Sequence, residues 1–353
     1  HGQMGMRNNM SVVLRGELNE VNRQKMNFFS FPDTTTLIST DIIARLNGFN
    51  LDSLRGFIDF RNAMISTQTK NYDIDYLNIR TRNDSTANTL SLNSNIFSFV
   101  TEGQYNISSL VSNITHIIDK YIPDFSLLSS KQENTKPITK EETIHLANDK
   151  INLKLEVKDF ATLSESFALN MNIAPQTTLT ANISPEQDLN LNLHSDYFVY
   201  DSYIFEDISL LSQTKYDIFK NHLKVNKIRI SDSLSINAND LILDFTKNDI
   251  DLALKAGMSE NDELSTQLNF KGFLTSNGLQ GYFKNSFINI ANSKVELNEN
   301  HTLSYFDESL SLMNFSLKQN KGSITLNGEI SDKPNNKLDV IFKDLDISTF
   351  NPI

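Results

Sequence analysis

A chain of 353 residues with no cysteine can form no disulfide, bind no metal through thiolate and offer no cysteine nucleophile. The absence fits a reducing compartment, or an oxidising one in which the fold needs no covalent staple. Tryptophan is missing too, and 12 glycines and 7 prolines are few for so many strand-like segments. No run of 18 apolar residues occurs, so no part of the sequence reads as a membrane-spanning helix. Positive charge is in deficit. Thirty-two Lys and Arg face 43 Asp and Glu, giving a net charge of −11. No compensating Lys/Arg cluster is expected anywhere, which speaks against nucleic-acid phosphate as a partner. The opening HGQMGMRNNM is neither a signal nor a transit peptide. With Pro352–Ile353 following a strand pair, the chain reads as an interior piece of something longer.

What the sequence has in quantity is alternation. Hydrophobic residues make up 39% and charged residues 21%. The surplus is Asn, Ser and Thr, residues that suit wet strand faces and turns. In Gly322 to Ile330 the apolar Ile324, Leu326 and Ile330 alternate with polar neighbours, the period of a strand with one dry and one wet face. SDKPNNK at 331–337 then turns the chain, and Leu338, Val340 and Phe342 resume the pattern. The same reading applies at 11–20, 37–46, 57–60, 72–80 and 89–100, and to more than a dozen segments after residue 150. Strict examples are Ile151 to Val157 and Leu189 to Leu193. Intervals of roughly 8–15 residues are those of an all-β meander, and no fixed-length repeat accompanies them. One segment reads as a helix, Ser108 to Tyr121. Its apolar residues at 110, 111, 114, 117, 118 and 121 follow helical spacing, Ser108 serves as N-cap and Pro123 ends it. The polar stretch SSKQENTKPITKEET has the composition of a linker. The expected organisation is a first segment at 1–126, a linker at 127–147 and a second segment at 148–353.

A sheet with one apolar side must cover it. A sandwich or closed barrel would seal it. The alternative is a long, curved, mostly antiparallel sheet folded partly over itself like a taco, leaving an open apolar β-groove. Such a groove exposes more contiguous apolar surface than a soluble monomer normally carries, and it persists when acyl chains fill it. At about 0.8 kcal/mol per buried CH2, a sixteen-carbon tail gains on the order of 10 kcal/mol without any specific contact. Candidate lining residues are Leu153, Leu155, Val157, Leu191, Leu193, Ile236, Leu252, Leu254, Leu268, Phe270, Leu326, Val340 and Phe342. One bulge would switch the inward parity of every residue beyond it.

Several stretches together resemble the long TamB proteins (translocation and assembly module) of the AsmA-like superfamily, and are most like those of Bacteroidetes-type bacteria. They are LRGFIDFRNAMI at 54–65, the strand, EGQYN turn and amphipathic segment at 88–123, the stretch from Leu153 to Leu210, and SLSLMNFSLKQNKGSITLNGEISDKPNNKLDVIFKDLDI near the end. The resemblance covers nearly the whole chain but rests on order and spacing of small and apolar residues, with no catalytic signature. It implies a β-groove protein of the Gram-negative periplasm whose parent is anchored in the inner membrane by an N-terminal helix. It further implies phospholipid acyl chains as ligand, and an outer-membrane barrel partner of the BamA/TamA type engaged by regions outside this piece. The implied role is phospholipid passage and outer-membrane biogenesis. The alternative from another class is a structural or assembly-factor β-protein with a sealed core, handling outer-membrane clients through its strand edges.

Catalysis, cofactors and metals find no support in the residues. The six histidines at 1, 116, 145, 194, 222 and 301 share no ligand spacing. Asp73/Asp75, Asp249/Asp251 and Asp344/Asp346 each put two carboxylates on one strand face, but a calcium site needs six or more oxygens from a loop. No GxSxG, HExxH or phosphate-cradling glycine loop occurs. The apolar stripe of 108–121 carries one lysine, Lys120, and no basic face, so packing over a sheet or groove end is expected rather than a place on a membrane surface.

Overall fold

The computed structural model describes residues 2–7, 9–22, 37–48, 50–66, 71–84, 87–109, 120, 149–166, 169–184, 188–231, 234–257, 264–275, 278–290, 293–306, 308–332 and 336–344. The pairings among them are antiparallel, and the fold is all-β. The chain divides into two compact units, one of residues 1–114 with 138–204 and the other of 115–137 with 205–353.

In the first unit the strands are β1 (Gly2–Arg7), β2 (Asn9–Asn22), β3 (Leu37–Asn47), β4 (Arg55–Ser66), β5 (Asn71–Asn83), β6 (Asn88–Ser94) and β7 (Phe97–Gln104). They continue with β8 (Lys150–Val157), a short helix α1 (Phe160–Ser166), β9 (Met171–Ile173), β10 (Thr178–Ile183) and β11 (Leu189–Tyr200). From β1 to β8 each strand pairs with the next; β10 then pairs with both β8 and β11. β9 pairs with the far half of β11, so β9 and β10 occupy one strand position broken at 174–177. The linker expected at 127–147 lies outside the described residues; β7, before it, pairs with β8, after it, over eight residues. Most of the helix expected at 108–121 lies outside the described residues; Ile107–Ser109 form a 3₁₀ turn and Lys120 is helical.

The second unit holds most of β12 (Tyr203–Lys215), then β13 (Ile218–Arg229), β14 (Ser235–Thr246), β15 (Asp249–Ala256), β16 (Leu264–Thr275), β17 (Gly278–Phe283) and β18 (Phe287–Ile290). After these come β19 (Ser293–Leu297), β20 (Thr302–Phe306), β21 (Ser309–Gln319), β22 (Gly322–Ile330) and β23 (Leu338–Lys343). β13 to β16 form a simple meander. β17 and β18 lie end to end along β16, and β20 and β19 lie end to end along β21, so each pair is one strand position with an interruption. β22 and β23 complete the sheet.

The sheets bend at aligned irregularities. In β4 the apolar parity steps by three residues from Phe60 to Ala63, and in β5 from Ile74 to Leu77; these pairs face one another. Asn62, between them, takes a left-handed φ of 51°. β13 and β14 do the same, stepping from Val225 to Ile228 opposite Ile236 to Asn239, with Ala238 at φ 51°. An extra residue in both partners restores the apolar face while turning the strand. The Asn239 side chain donates to the Val225 and Ile236 carbonyls at 3.2 and 3.0 Å, satisfying groups the kink frees.

Candidate functional site: the apolar strand faces

Register turns the alternation of single strands into rows that run across them. In the first unit one row passes through Leu14, Ala44, Ile58, Ile79, Leu92, Phe99, Leu155, Leu179 and Leu193, one residue from each of nine adjacent strand positions. No polar side chain interrupts it. Its eight inter-strand steps of about 4.8 Å give a run of about 38 Å, against roughly 15 Å for one leaflet's share of a 30 Å hydrocarbon core. Beside it runs Val12, Leu46, Gly56, Thr81, Leu90, Thr101, Leu153, Ala181 and Leu191. Gly56, at φ +138°, is obligatory there, because a Cβ would sit 1.9 Å from the Arg45 carbonyl oxygen.

Exposure of this face is intermediate. Ile58, Ile79, Leu92, Phe99, Leu155, Leu179 and Leu193 are all half-buried, Ala44 is buried and Leu14 is 42% exposed. A facing sheet in a sandwich would seal most of these side chains. The fully enclosed residues instead include Ile96, Ile151, Thr101 and Ser94, toward the two margins of the face.

Those margins are built up. At one, the 3₁₀ turns Leu51–Ser53 and Ile107–Ser109 meet: the Asp52 carboxylate accepts from the Ser108 backbone N–H at 2.8 Å and its hydroxyl at 2.6 Å. Thr81 donates to the Leu54 carbonyl at 3.0 Å, and Tyr105 folds back to bond the Thr101 hydroxyl, its phenol pKa raised by burial. At the other, the Lys158 and Asp159 N–H groups donate to the Ile96 carbonyl. Asp159 caps α1, its carboxylate accepting the Thr162 backbone N–H at 3.3 Å and the Thr162 hydroxyl at 2.7 Å, and α1 packs on β9 and β5. A half-open apolar floor between two raised margins is a groove running across the strands.

In the second unit the corresponding row is Phe219, Phe245, Ile250, Gly272, Gly281, Leu303, Leu312, Gly328 and Leu338. Leu223, Leu241, Leu254 and Leu268 form a second row, and Leu243, Leu252, Phe270 and Phe283 a third between them. Here aromatic rings fill part of the floor. Phe270, 7% exposed, lies over the two glycines: a Cβ on Gly272 would meet its ring at 2.3 Å, and one on Gly281 at 2.2 Å. Phe283 meets Phe270 edge-on at 5.3 Å and stacks on His301 at 5.9 Å, and Phe315 closes the cluster edge-on 5.1 Å from His301.

The thirteen candidate lining residues are distributed over both units. Leu153 and Leu191 share one row of the first unit, and Leu155 and Leu193 share the next. Val157 is buried at the α1 margin opposite Phe97. Leu252 pairs with Phe270, and Leu254 with Leu268. Ile236 pairs with Ile228 beyond the kink, and Leu326 pairs with Val340. Val340 and Phe342 lie on β23, where Ile341 on the opposite face is exposed as well. Ile58, Ile79, Leu92, Phe99 and Leu179, which were not among the candidates, join the floor only through register, which no single strand's pattern discloses.

The opposite face of each sheet is largely polar, with single exposed apolar residues such as Val13 and Phe273. In the second unit Lys220 pairs with Asp244 and Asp251 with Lys271, the latter at 2.9 Å. Burial raises the Asp244 pKa despite Lys220, while the hydrogen bond from Lys271 to Asp251 raises that of the lysine. Among the described residues no group of three or more His, Asp or Glu could hold a metal, and no helix is long and apolar enough to cross a membrane. Comparison with protein-family models, curated proteins and solved structures returned no match.

Proposed function

We propose that this chain is a non-catalytic segment of a lipid-handling protein that shields phospholipid acyl chains along an apolar β-groove. The observation that carries the reading is the nine-residue row from Leu14 to Leu193, continuous, half-exposed and bordered by raised margins. Its rungs are chemically alike, so a tail bound anywhere along it gains a similar free energy and can slide. The resemblance to TamB-type proteins supplies the setting: the periplasm of a Gram-negative bacterium, between inner and outer membranes, with an outer-membrane barrel as partner of the parent protein.

The test is the lipid content of protein purified in mild detergent. Mass spectrometry is expected to find co-purifying phospholipid, and Leu155→Asp or Leu252→Asp should reduce it severalfold while circular dichroism stays that of a folded β-protein. Both positions are half-buried, so the carboxylate reaches water without unfolding the sheet. Absence of phospholipid from the unaltered protein would overturn the reading in favour of a scaffold or assembly factor.

A further inference from the structure

The polar face of the first unit carries a charge pattern that sequence order conceals. Of nine arginines in the chain, six (Arg15, Arg45, Arg55, Arg61, Arg80 and Arg82) lie on β2 to β5, on the face opposite the apolar rows. All six are exposed. Toward the end of the face near the Asp52 turn they crowd together. Val13, Arg45, Phe57 and Arg80 form one row, and Arg55 and Arg82 lie one residue beyond the Gly56–Thr81 pair on adjacent strands. The acids of this face are Glu17, Asp41, Asp59, Asp73 and Asp75, with Asp84 and Asp52 in the neighbouring turns; Asp73 and Asp75 lie beyond the Asn62 kink, away from the crowded end. Asp59 lies 3.9 Å from Arg61 and 3.7 Å from Arg80, and Asp84 lies 3.3 Å from Arg82. Asp41 accepts from Asn62, and Asp52 from Ser108. Arg45 and Arg55 have no acid within ion-pair reach among the described residues. Like charges gathered on adjacent strands oppose pairing unless an anion lies over them.

We infer that this arginine-rich face is a docking surface for the phosphate head groups of an anionic lipid bilayer. The arginine-rich end of this face, on a chain of net charge −11, has its complement in an anionic partner. Guanidinium is the side chain suited to phosphate oxygens. Exposed Val13 and half-buried Ile43 and Phe57 sit among the arginines, as suits an interface where charge meets hydrocarbon. Single-stranded nucleic acid would need a bare aromatic face, and the Arg80 guanidinium lies 5.5 Å over the Phe57 ring. Docking through this face is independent of whether the opposite face holds acyl chains.

The test is sedimentation of the full chain with phosphatidylcholine vesicles, with and without phosphatidylglycerol, at low and high salt. Binding is expected to anionic vesicles alone and to fall with salt. Arg45→Gln and Arg55→Gln, which break no ion pair, should each weaken it about fivefold, and Lys224→Gln on the second unit should not. Arg45→Lys, which keeps the charge, should retain binding. The inference is overturned if anionic vesicles do not bind, if the glutamine variants bind unchanged, or if inorganic phosphate or an RNA oligonucleotide binds with the same arginine dependence while vesicles do not.

Discussion

His301 shows what one side chain must do where a strand is interrupted. It is buried between the Phe283 and Phe315 rings, its Nε2 accepts the Phe283 backbone N–H at 2.9 Å, and its Nδ1–H donates to the Asn298 carbonyl. Both bonds are made by the neutral ring, and a second proton on Nε2 would set two donors against each other. Burial accordingly holds its pKa below the usual histidine value. The sign follows from linkage. Above about pH 6.5 the ring is neutral folded and unfolded and contributes no pH dependence. Below that, the unfolded chain takes up the proton more readily, so stability of the second unit falls as pH falls. Urea midpoints measured between about pH 7.5 and about pH 5.5 should decline more steeply for the unaltered chain than for His301→Gln. Equal slopes would show that the ring is not constrained as described.

Strands in this protein are regular where the sequence alternates and bent where it steps by three. β8 and β15 are legible residue by residue, because Leu153, Leu155 and Val157, or Ile250, Leu252 and Leu254, keep strict period two across short strands. The steps at Phe60 to Ala63 and Val225 to Ile228 are present in the sequence, yet each reads equally well as the end of a strand. α1 is not legible because seven residues give too little periodicity, and its stability comes from the Asp159 cap and packing on β5 and β9. The kinks depend on side chains that replace lost ladder bonds. Asn239→Ala would strand the Val225 and Ile236 carbonyls near a buried position, and should cost about 1–3 kcal/mol in urea denaturation. An exposed asparagine such as Asn226 should cost under about 0.5 kcal/mol by the same measurement.

At the scale of the molecule, the properties that bear on function belong to rows rather than to strands. Alternation assigns each strand a dry side; only register decides that nine dry sides coincide, and the floor of the first unit is the result. The same register gathers arginines from four strands that no basic run announces, which corrects the expectation that positive charge is nowhere concentrated. The two units treat their apolar faces differently. The first floor is mostly aliphatic and open, with Phe99 as the aromatic rung of its central row, whereas the second is partly filled by Phe270, Phe283, His301 and Phe315. Acyl chains should therefore occupy the first unit more fully.

Neighbouring residues on one strand point to opposite faces, and Phe99 and Ser98 of β7 provide the sharpest comparison. A benzophenone amino acid placed at Phe99 puts a photoreactive ring in the row, and the same residue at Ser98 puts it on the polar face. Irradiation of the protein in its native membrane extract should crosslink phospholipid at position 99 and little or none at 98. No lipid adduct at 99, or equal yield at both positions, would contradict the groove.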